Sequence, residues 1–155
     1  FYNQNIWHLL FKFSTSIYHK MTNKFKKILS EISAGELLDK ISILEIKLKR
    51  IKDKHSLKEV KKEYKILKKI QNSSISKNSK IKKLFLAVKK VNIKLWIIED
   101  KLRIYEKNKK FDKKFIELAR GVYFTNDQRA KIKLEINKIL GSNIREVKQY
   151  IDYKI

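Results

Sequence analysis

The polar residues with the greatest chemical potential lie in the segment VYFTNDQRAKIK at 122–133. Apolar residues precede and follow this segment at helical spacing, and continuing that spacing places Thr125 and Arg129 on the core-facing side. Asn126 and Asp127 lie beside them. Arginine is a planar fork that can bind a carboxylate or a phosphate through two hydrogen bonds. The segment is therefore the first candidate for a site that binds an anion or a partner.

A buried arginine needs an acidic partner, because an unpaired charge in a helical core is strongly destabilising. Three carboxylates lie near other predicted apolar stripes: Glu45, Glu99 and Asp100. We expect Arg129 to pair with one of them. Trp96 and Arg103 lie about one helical turn before and after Glu99, so both belong to the same candidate cluster.

Three interpretations of the segment remain open. In the first, its polar residues fix the register of the helices, as a buried polar residue does in coiled coils. In the second, the helix breaks at Gly121 and Thr125 caps a new one. In the third, the segment lines a pocket, and four side chains supply donors to an anionic or sugar-like group: Arg120, Tyr123, Asn126 and Arg129.

Other catalytic chemistry has little support in the sequence. There is no Cys, and the three His are His8, His19 and His55, without a second ligand at metal-binding spacing. The three Gly are far apart, so there is no glycine-rich phosphate loop. We therefore predict no metal and no cofactor and lean against an enzyme, although an all-helical site built on carboxylates or arginine stays open.

The formal net charge of +23 suggests nucleic acid or an anionic surface as a partner. However, only 5 of the 39 basic residues are Arg, and AT-rich codons favour Lys over Arg. The lysines also spread over every predicted helix, which favours a solvated coat over one binding stripe. Five positions retain Arg despite this bias, which suggests that some of them need its fork: Arg50, Arg103, Arg120, Arg129 and Arg145.

Apolar periodicity predicts four helices. Ser33 and Glu36 form a capping box, after which apolar residues recur from Leu37 to Ile51 at steps of 4 and 3. Ser56 and Glu59 form a second capping box, after a turn near 53–55. The second helix ends at the polar loop QNSSISKNS, at 71–79.

The third helix has an unbroken stripe from Ile81 to Tyr105, followed by a turn at 108–110. Asp112 caps the fourth helix, Gly141 ends it, and a short helix follows to Tyr150. Short connections favour antiparallel neighbours. The predicted fold is all-α, as an antiparallel four-helix bundle or paired helical hairpins with coiled-coil-like heptad stripes.

Residues 1–30 are expected to be a leader or a poorly ordered tail, and 31–150 a single helical domain. The first Met is Met21, so we expect translation to start there. The patch IWHLLFKF is too short to span a bilayer. The alternative is an amphipathic membrane-surface segment that uses Trp7, Phe11 and Phe13. The expected location is cytoplasmic, since the chain lacks Cys and shows no signal peptide.

Three segments carry a resemblance: EISAGELLDKISILEIKLKRI at 31–51, LWIIEDKLR at 95–103 and FIELARGVYFTNDQRAKIKLEIN at 115–137. They resemble a family of short bacterial and phage proteins that is known only as a domain of unknown function. The resemblance covers about 31–150. It implies a genomic association with glycosyltransferase or polysaccharide genes, but no catalytic residues.

Glu36 and the members of the candidate cluster fall within the segments that carry the resemblance, as do Asp39, Lys40 and Glu117. The sequence departs from the family pattern at Gly121 and Phe124, which puts the local helix geometry in doubt.

Three functional hypotheses follow. The first is a non-enzymatic binding or accessory factor in glycan or cell-surface polysaccharide biosynthesis, with a protein partner such as a glycosyltransferase-type enzyme. The second is a nucleic-acid-binding bundle that uses the lysine-dense stretch 47–69. The third is an enzyme that acts on a sugar or nucleotide sugar. A homo-oligomer is compatible with each.

Overall fold

The structure is a computed structural model that describes residues 28–76, 78–149 and 151. It contains four helices: α1 (Ala34–Arg50), α2 (Lys54–Ser74), α3 (Ser79–Lys107) and α4 (Lys113–Leu140). All four lie in the compact unit Glu31–Ile155, and the described residues contain no strand. The predicted all-α bundle is confirmed. No helix in the described part of the chain is long and apolar enough to cross a membrane.

The helices alternate in direction. Lys80 at the start of α3 lies near Glu135 at the end of α4, whereas Tyr105 at the other end of α3 contacts Phe115. These two helices are therefore antiparallel. In contrast, α1 runs parallel to α3, since Leu38 and Ile81 share one core cluster and the guanidinium of Arg50 stacks over the ring of Trp96.

The centre of the bundle is α1, which packs against each of the other three helices. Its buried apolar residues cover more than half of its circumference: Leu37, Leu38, Ile41, Leu44 and Ile46. By contrast, Val60 is the one buried residue of α2, which packs on α1 alone among the helices. The core therefore lies between α1, α3 and α4, and α2 covers one side of α1.

The helix ends use caps that differ in part from the prediction. Ser33 is the N-cap of α1, and Asp112 is the N-cap of α4. The predicted capping box at Ser56 and Glu59 is wrong, because Asp53 caps α2 and accepts a hydrogen bond from the amide of Ser56 at 2.7 Å. An Asp caps as well as a Ser does, so the helix begins at the earlier residue.

Three further expectations are wrong. First, α4 runs through Gly121 and Thr125 without a break, since one interior glycine costs a helix only about 1 kcal/mol. Second, residues 71–74 continue α2, where Lys68 donates a hydrogen bond to Gln71, and are not part of a loop. Third, residues 144–149 are not helical, and within them the side chain of Glu146 pairs with Lys133 of α4.

Residues 1–27 lie outside the described residues, so the expectations about Met21, Trp7, Phe11 and Phe13 stay predictions.

Candidate functional site

A buried polar cluster joins α1, α3 and α4 at the centre of the bundle. The Asn92 amide nitrogen Nδ2 donates to Oδ1 of Asp39 and to Oγ of Ser42, both at 2.7 Å. The Ser42 hydroxyl in turn donates to the backbone carbonyl of Asp39 at 2.8 Å. Asp39 is 2% exposed and Asn92 is 5% exposed. We call these residues, with Arg129, the Asp39 cluster.

Arg129 completes the Asp39 cluster from α4. Its Nε lies 3.8 Å from Oδ2 of Asp39, and its side chain is 28% exposed. The guanidinium thus lies at the edge of the core, with its inner side on the carboxylate and its outer side in solvent. The expected partner of Arg129 was wrong: Arg129 pairs with Asp39, which lies on a buried side of α1 that faces α4. Glu45, Glu99 and Asp100 form ion pairs elsewhere.

A second polar contact joins the first turn of α1 to the end of α4. The amide of Gly35 donates to Oδ1 of Asn137 at 2.6 Å, and the amide of Ala34 donates to Oγ of Ser142 at 3.1 Å. Ser33 accepts from the amide of Glu36 at 3.2 Å. The free amides of this helix start are therefore used internally, which leaves them no role in binding an external anion.

Lys133 is buried beside this contact, and two carboxylates hold it. Its Nζ lies 2.6 Å from Oε2 of Glu36 and 2.8 Å from Oε2 of Glu146. Burial by itself lowers the pKa of Lys133, but the hydrogen bonds to Glu146 and Glu36 outweigh it and raise the pKa. The hydrogen bond from Lys133 lowers the pKa of Glu146, with a smaller contribution from Lys148.

Glu45 belongs to a third group, on the side of α1 that faces α2 and α3. It accepts hydrogen bonds from Nζ of Lys89 and from the hydroxyl of Tyr64, the latter at 3.2 Å. Burial, followed by the negative charge of Glu45, raises the pKa of Tyr64. Glu45 therefore links three helices but does not reach Arg129.

The other residues predicted on α3 lie apart from the Asp39 cluster. Arg103 pairs with Glu99 at 3.2 Å and with Asp100 at 3.5 Å, on the exposed surface of α3. Exposed pairs of this kind contribute little to stability. Trp96 is half-buried under the guanidinium of Arg50, at 5.6 Å from the ring centroid.

The residues predicted on α4 separate in the same way. Thr125 is 1% exposed, and its Oγ1 has no hydrogen-bond partner among the described residues. Asn126 and Asp127 are half-buried. Arg120 lies over the ring of Phe124, which also contacts the ring of Tyr123. The predicted segment is therefore split between the core and an aromatic surface patch.

Sequence reasoning missed Asp39 as the partner of Arg129, and missed Ser42, Asn92, Lys133 and Asn137 as buried polar residues. One signal was available. Gly35, Asp39, Ser42 and Ile46 recur at steps of 4, 3 and 4, which marks a second buried stripe on the first helix. A helix with two buried stripes must lie between neighbours.

The described residues contain no group of three His, Cys, Asp or Glu side chains that could hold a metal ion. The carboxylate of Asp39 already accepts from Asn92 and faces Arg129. The hydrogen bonds of Asn92 and the ion pair of Arg129 thus link α1, α3 and α4 through one carboxylate.

The model of a family of unknown function, DUF6165, matches residues 28–153. The chain belongs to this family, and the match includes all four helices and each polar group described above. No curated protein and no solved structure shows a significant match to the chain.

Proposed function

We propose that the protein is a non-enzymatic binding or accessory factor whose internal polar residues fix the bundle and whose outer faces carry recognition. The observation that carries this proposal is the burial of Asp39, whose carboxylate is held by Asn92 and Arg129. A carboxylate that is 2% exposed and already bonded is poorly placed to act on a solute. The family's long polar motif is thereby better explained as a register lock than as a catalytic site.

The surface that best suits a protein partner is the outer face of α3. Leu86, Ile97 and Ile104 recur there after three and two helical turns, and they are 56%, 41% and 58% exposed. Lys90 and Lys94 border this apolar stripe. Charge complementarity favours a partner helix with an apolar face and acidic flanks.

The resemblance to proteins associated with glycosyltransferase or polysaccharide genes suggests the class of partner protein. We propose that this protein, encoded by a bacterium or a phage, acts in the bacterial cytoplasm and binds a glycosyltransferase-type enzyme. This assignment rests on the resemblance and on the apolar stripe of α3.

A cross-linking and pull-down experiment tests the proposal. The tagged protein is expressed in its native host, cross-linked in the cells and then purified with the proteins that it retains. We expect one protein to be retained by the wild type and lost by the double variant Ile97→Gln/Ile104→Gln. The matched control is Ile66→Gln/Ile70→Gln, which removes two isoleucines of similar exposure from α2. Equal retention by both variants would contradict the proposed surface, and loss of a homodimer would identify a second copy as the occupant.

The competing enzyme hypothesis makes a different prediction. An enzyme that uses the Asp39 cluster should turn over a nucleotide sugar, and turnover should vanish in a folded Asp39→Asn variant. We expect no turnover with uridine, guanosine and thymidine diphosphate sugars, followed by NMR. Turnover that depends on Asp39 would overturn the non-enzymatic assignment.

A further inference from the structure

All seven lysines of α2 lie on one face of the helix. At 100° per residue they fall within about a third of the circumference. The residues that form this face, here the α2 lysine face, are Lys54, Lys58, Lys61, Lys62, Lys65, Lys68 and Lys69. The acidic residues Glu59 and Glu63 lie outside this arc. The structure thus corrects, for this helix, the expectation of an unpatterned lysine coat.

No carboxylate of the described residues lies within ion-pair distance of the α2 lysine face. Glu63 pairs with Lys40 on α1 instead, and Lys68 donates to the neutral side chain of Gln71. The sequence from 64 to 98 contains no Asp or Glu at all. The positive charge of this surface is therefore not neutralised from within the described part of the molecule.

The dimensions of the α2 lysine face suit an extended polyanion. Lys54 and Lys69 are separated by about 22 Å along the helix axis, at 1.5 Å per residue. The phosphates of one strand of a nucleic acid duplex advance by about 3.4 Å per nucleotide along the duplex axis. The ammonium groups of one helix face can therefore contact several phosphates of one strand.

A groove continues this surface between the end of α2 and the start of α3. It has a volume of about 430 Å³ and is lined on the α2 side by Lys68, Gln71 and Asn72. Asn78 and Lys82 line the opposite side. Ile75, Ile81 and Phe85 also line the groove and give it an apolar part. Amide side chains both donate and accept hydrogen bonds, so Gln71, Asn72 and Asn78 add neutral polar contacts for sugars and base edges to the charge of the lysines.

We propose that the α2 lysine face and this groove bind the sugar-phosphate backbone of a nucleic acid without sequence specificity. This interaction goes beyond the proposed protein-binding function and uses a different surface. An anionic membrane suits the surface less well, because a helix that lies on a bilayer inserts its apolar face. Val60 and Leu67 of α2 are packed towards α1 instead, which leaves only Ile66 and Ile70 as exposed large apolar residues of this helix.

The test measures fluorescence anisotropy of labelled duplex and single-stranded oligonucleotides between about 50 and 200 mM salt. The variant Lys58→Gln/Lys61→Gln/Lys65→Gln removes three charges from the α2 lysine face. We expect its affinity to fall at least tenfold, and the slope of log affinity against log salt to decrease by about one for each phosphate contact removed.

The matched control, Lys101→Gln/Lys107→Gln/Lys138→Gln, removes three exposed lysines from α3 and α4. It should retain most of the affinity. An equal loss in both variants would show that binding depends on total charge, and would overturn the proposed site. Absence of binding by the wild type at ~50 mM salt would also overturn it.

Vesicles of phosphatidylserine and phosphatidylcholine form the third arm of the experiment. Tighter binding to these vesicles than to either oligonucleotide, with the same dependence on Lys58, Lys61 and Lys65, would replace the nucleic acid by a membrane surface. Circular dichroism melting of each variant establishes that it is folded. These outcomes are independent of the Ile97 and Ile104 experiment, so either proposal can fail alone.

Discussion

The backbone amide of Gly35 donates a hydrogen bond to Oδ1 of Asn137 at 2.6 Å, which joins the first turn of α1 to the last turn of α4. A Cβ atom at position 35 would lie 2.5 Å from the backbone oxygen of Lys133 and 2.8 Å from Oδ1 of Asn137. Glycine is needed here because the two helix backbones approach each other closely.

We therefore expect Gly35→Ala to lower the free energy of unfolding by about 1–3 kcal/mol, because α1 must move away from a backbone atom that cannot rotate aside. Urea denaturation measures this change. The control is Gly121→Ala in α4, where an added Cβ would meet only Cδ1 of Ile98 at 3.3 Å, and a flexible side chain can adjust. Equal losses in the two variants would show that the close approach at Gly35 is not decisive.

Removing Asn92 should be costly. Asn92→Leu deletes the donor that serves both Asp39 and Ser42, and leaves a buried carboxylate with fewer partners. We expect a loss of about 2–4 kcal/mol in the free energy of unfolding, because two buried hydrogen bonds are lost and one of them is to a charged carboxylate. Guanidinium denaturation measures it, and a loss below ~1 kcal/mol would show that Asp39 is solvated.

Arg129→Met should cost less than Asn92→Leu, about 1–3 kcal/mol, since Arg129 is 28% exposed and its Nε is 3.8 Å from the carboxylate. A double-mutant cycle between the two positions should give a coupling energy, because both act on Asp39. A folded Arg129→Met protein that keeps its partner would assign Arg129 to the register lock alone. Loss of the partner without loss of stability would assign it to recognition.

Thr125 should tolerate loss of its hydroxyl. Its Oγ1 is buried without a partner among the described residues, so Thr125→Val removes an unsatisfied polar atom at almost constant volume. We expect the free energy of unfolding to rise by about 1 kcal/mol. The control Thr125→Ser keeps the hydroxyl, deletes a buried methyl group and should destabilise the protein by about 1 kcal/mol. A destabilised valine variant would indicate that a ligand or a water molecule forms a hydrogen bond with the hydroxyl of Thr125.

The contact between Lys133 and Glu146 should make stability depend on pH at the acid end. The folded-state pKa of Glu146 lies below its ordinary value of 4.5. The stabilisation is therefore fully present above pH 4.5 and is lost as the pH falls through the lower folded-state value. Urea denaturation between pH 7 and pH 3 should show a shallower decrease for Glu146→Gln than for the wild type. Parallel curves would show that Glu146 is not held by Lys133 in solution.

Much of the helical framework followed from the sequence, because helix periodicity and capping residues are local signals. The stripe from Ile81 to Tyr105 predicted α3, and Gly141, which has a φ of 62°, ends α4 as expected for a left-handed C-cap. The start of α2 was misplaced by three residues because Asp53 and Ser56 are both good caps, and sequence alone does not rank them.

The polar interior was harder to predict, because it depends on which helix faces which. Counting one apolar stripe per helix did not place Asp39 in the interior, so the expected partners of Arg129 were Glu45, Glu99 and Asp100. In fact α1 is buried on two sides, and Asp39 lies on the side that receives α3 and α4. The tertiary arrangement decided the pairing, and local spacing could have indicated it only through the second stripe at Gly35, Asp39 and Ser42.

The same spacing argument, applied to charge, would have separated α2 from the other helices. Averaging lysine over the whole chain hides the fact that Lys54, Lys58, Lys61 and Lys65 recur at steps of 4, 3 and 4. A stripe and a coat have the same composition, and only the helical angle distinguishes them.

The attachment of α2 to a single neighbour makes it the part of the bundle that can open without the rest. Val60 is its one buried residue, whereas α1, α3 and α4 share the core. Its backbone amides should therefore exchange with deuterated solvent through local opening, well before those of α1. A polyanion bound along the lysines of α2 would slow this exchange in α2 selectively. Binding would thus stabilise against local opening the helix that the core stabilises least.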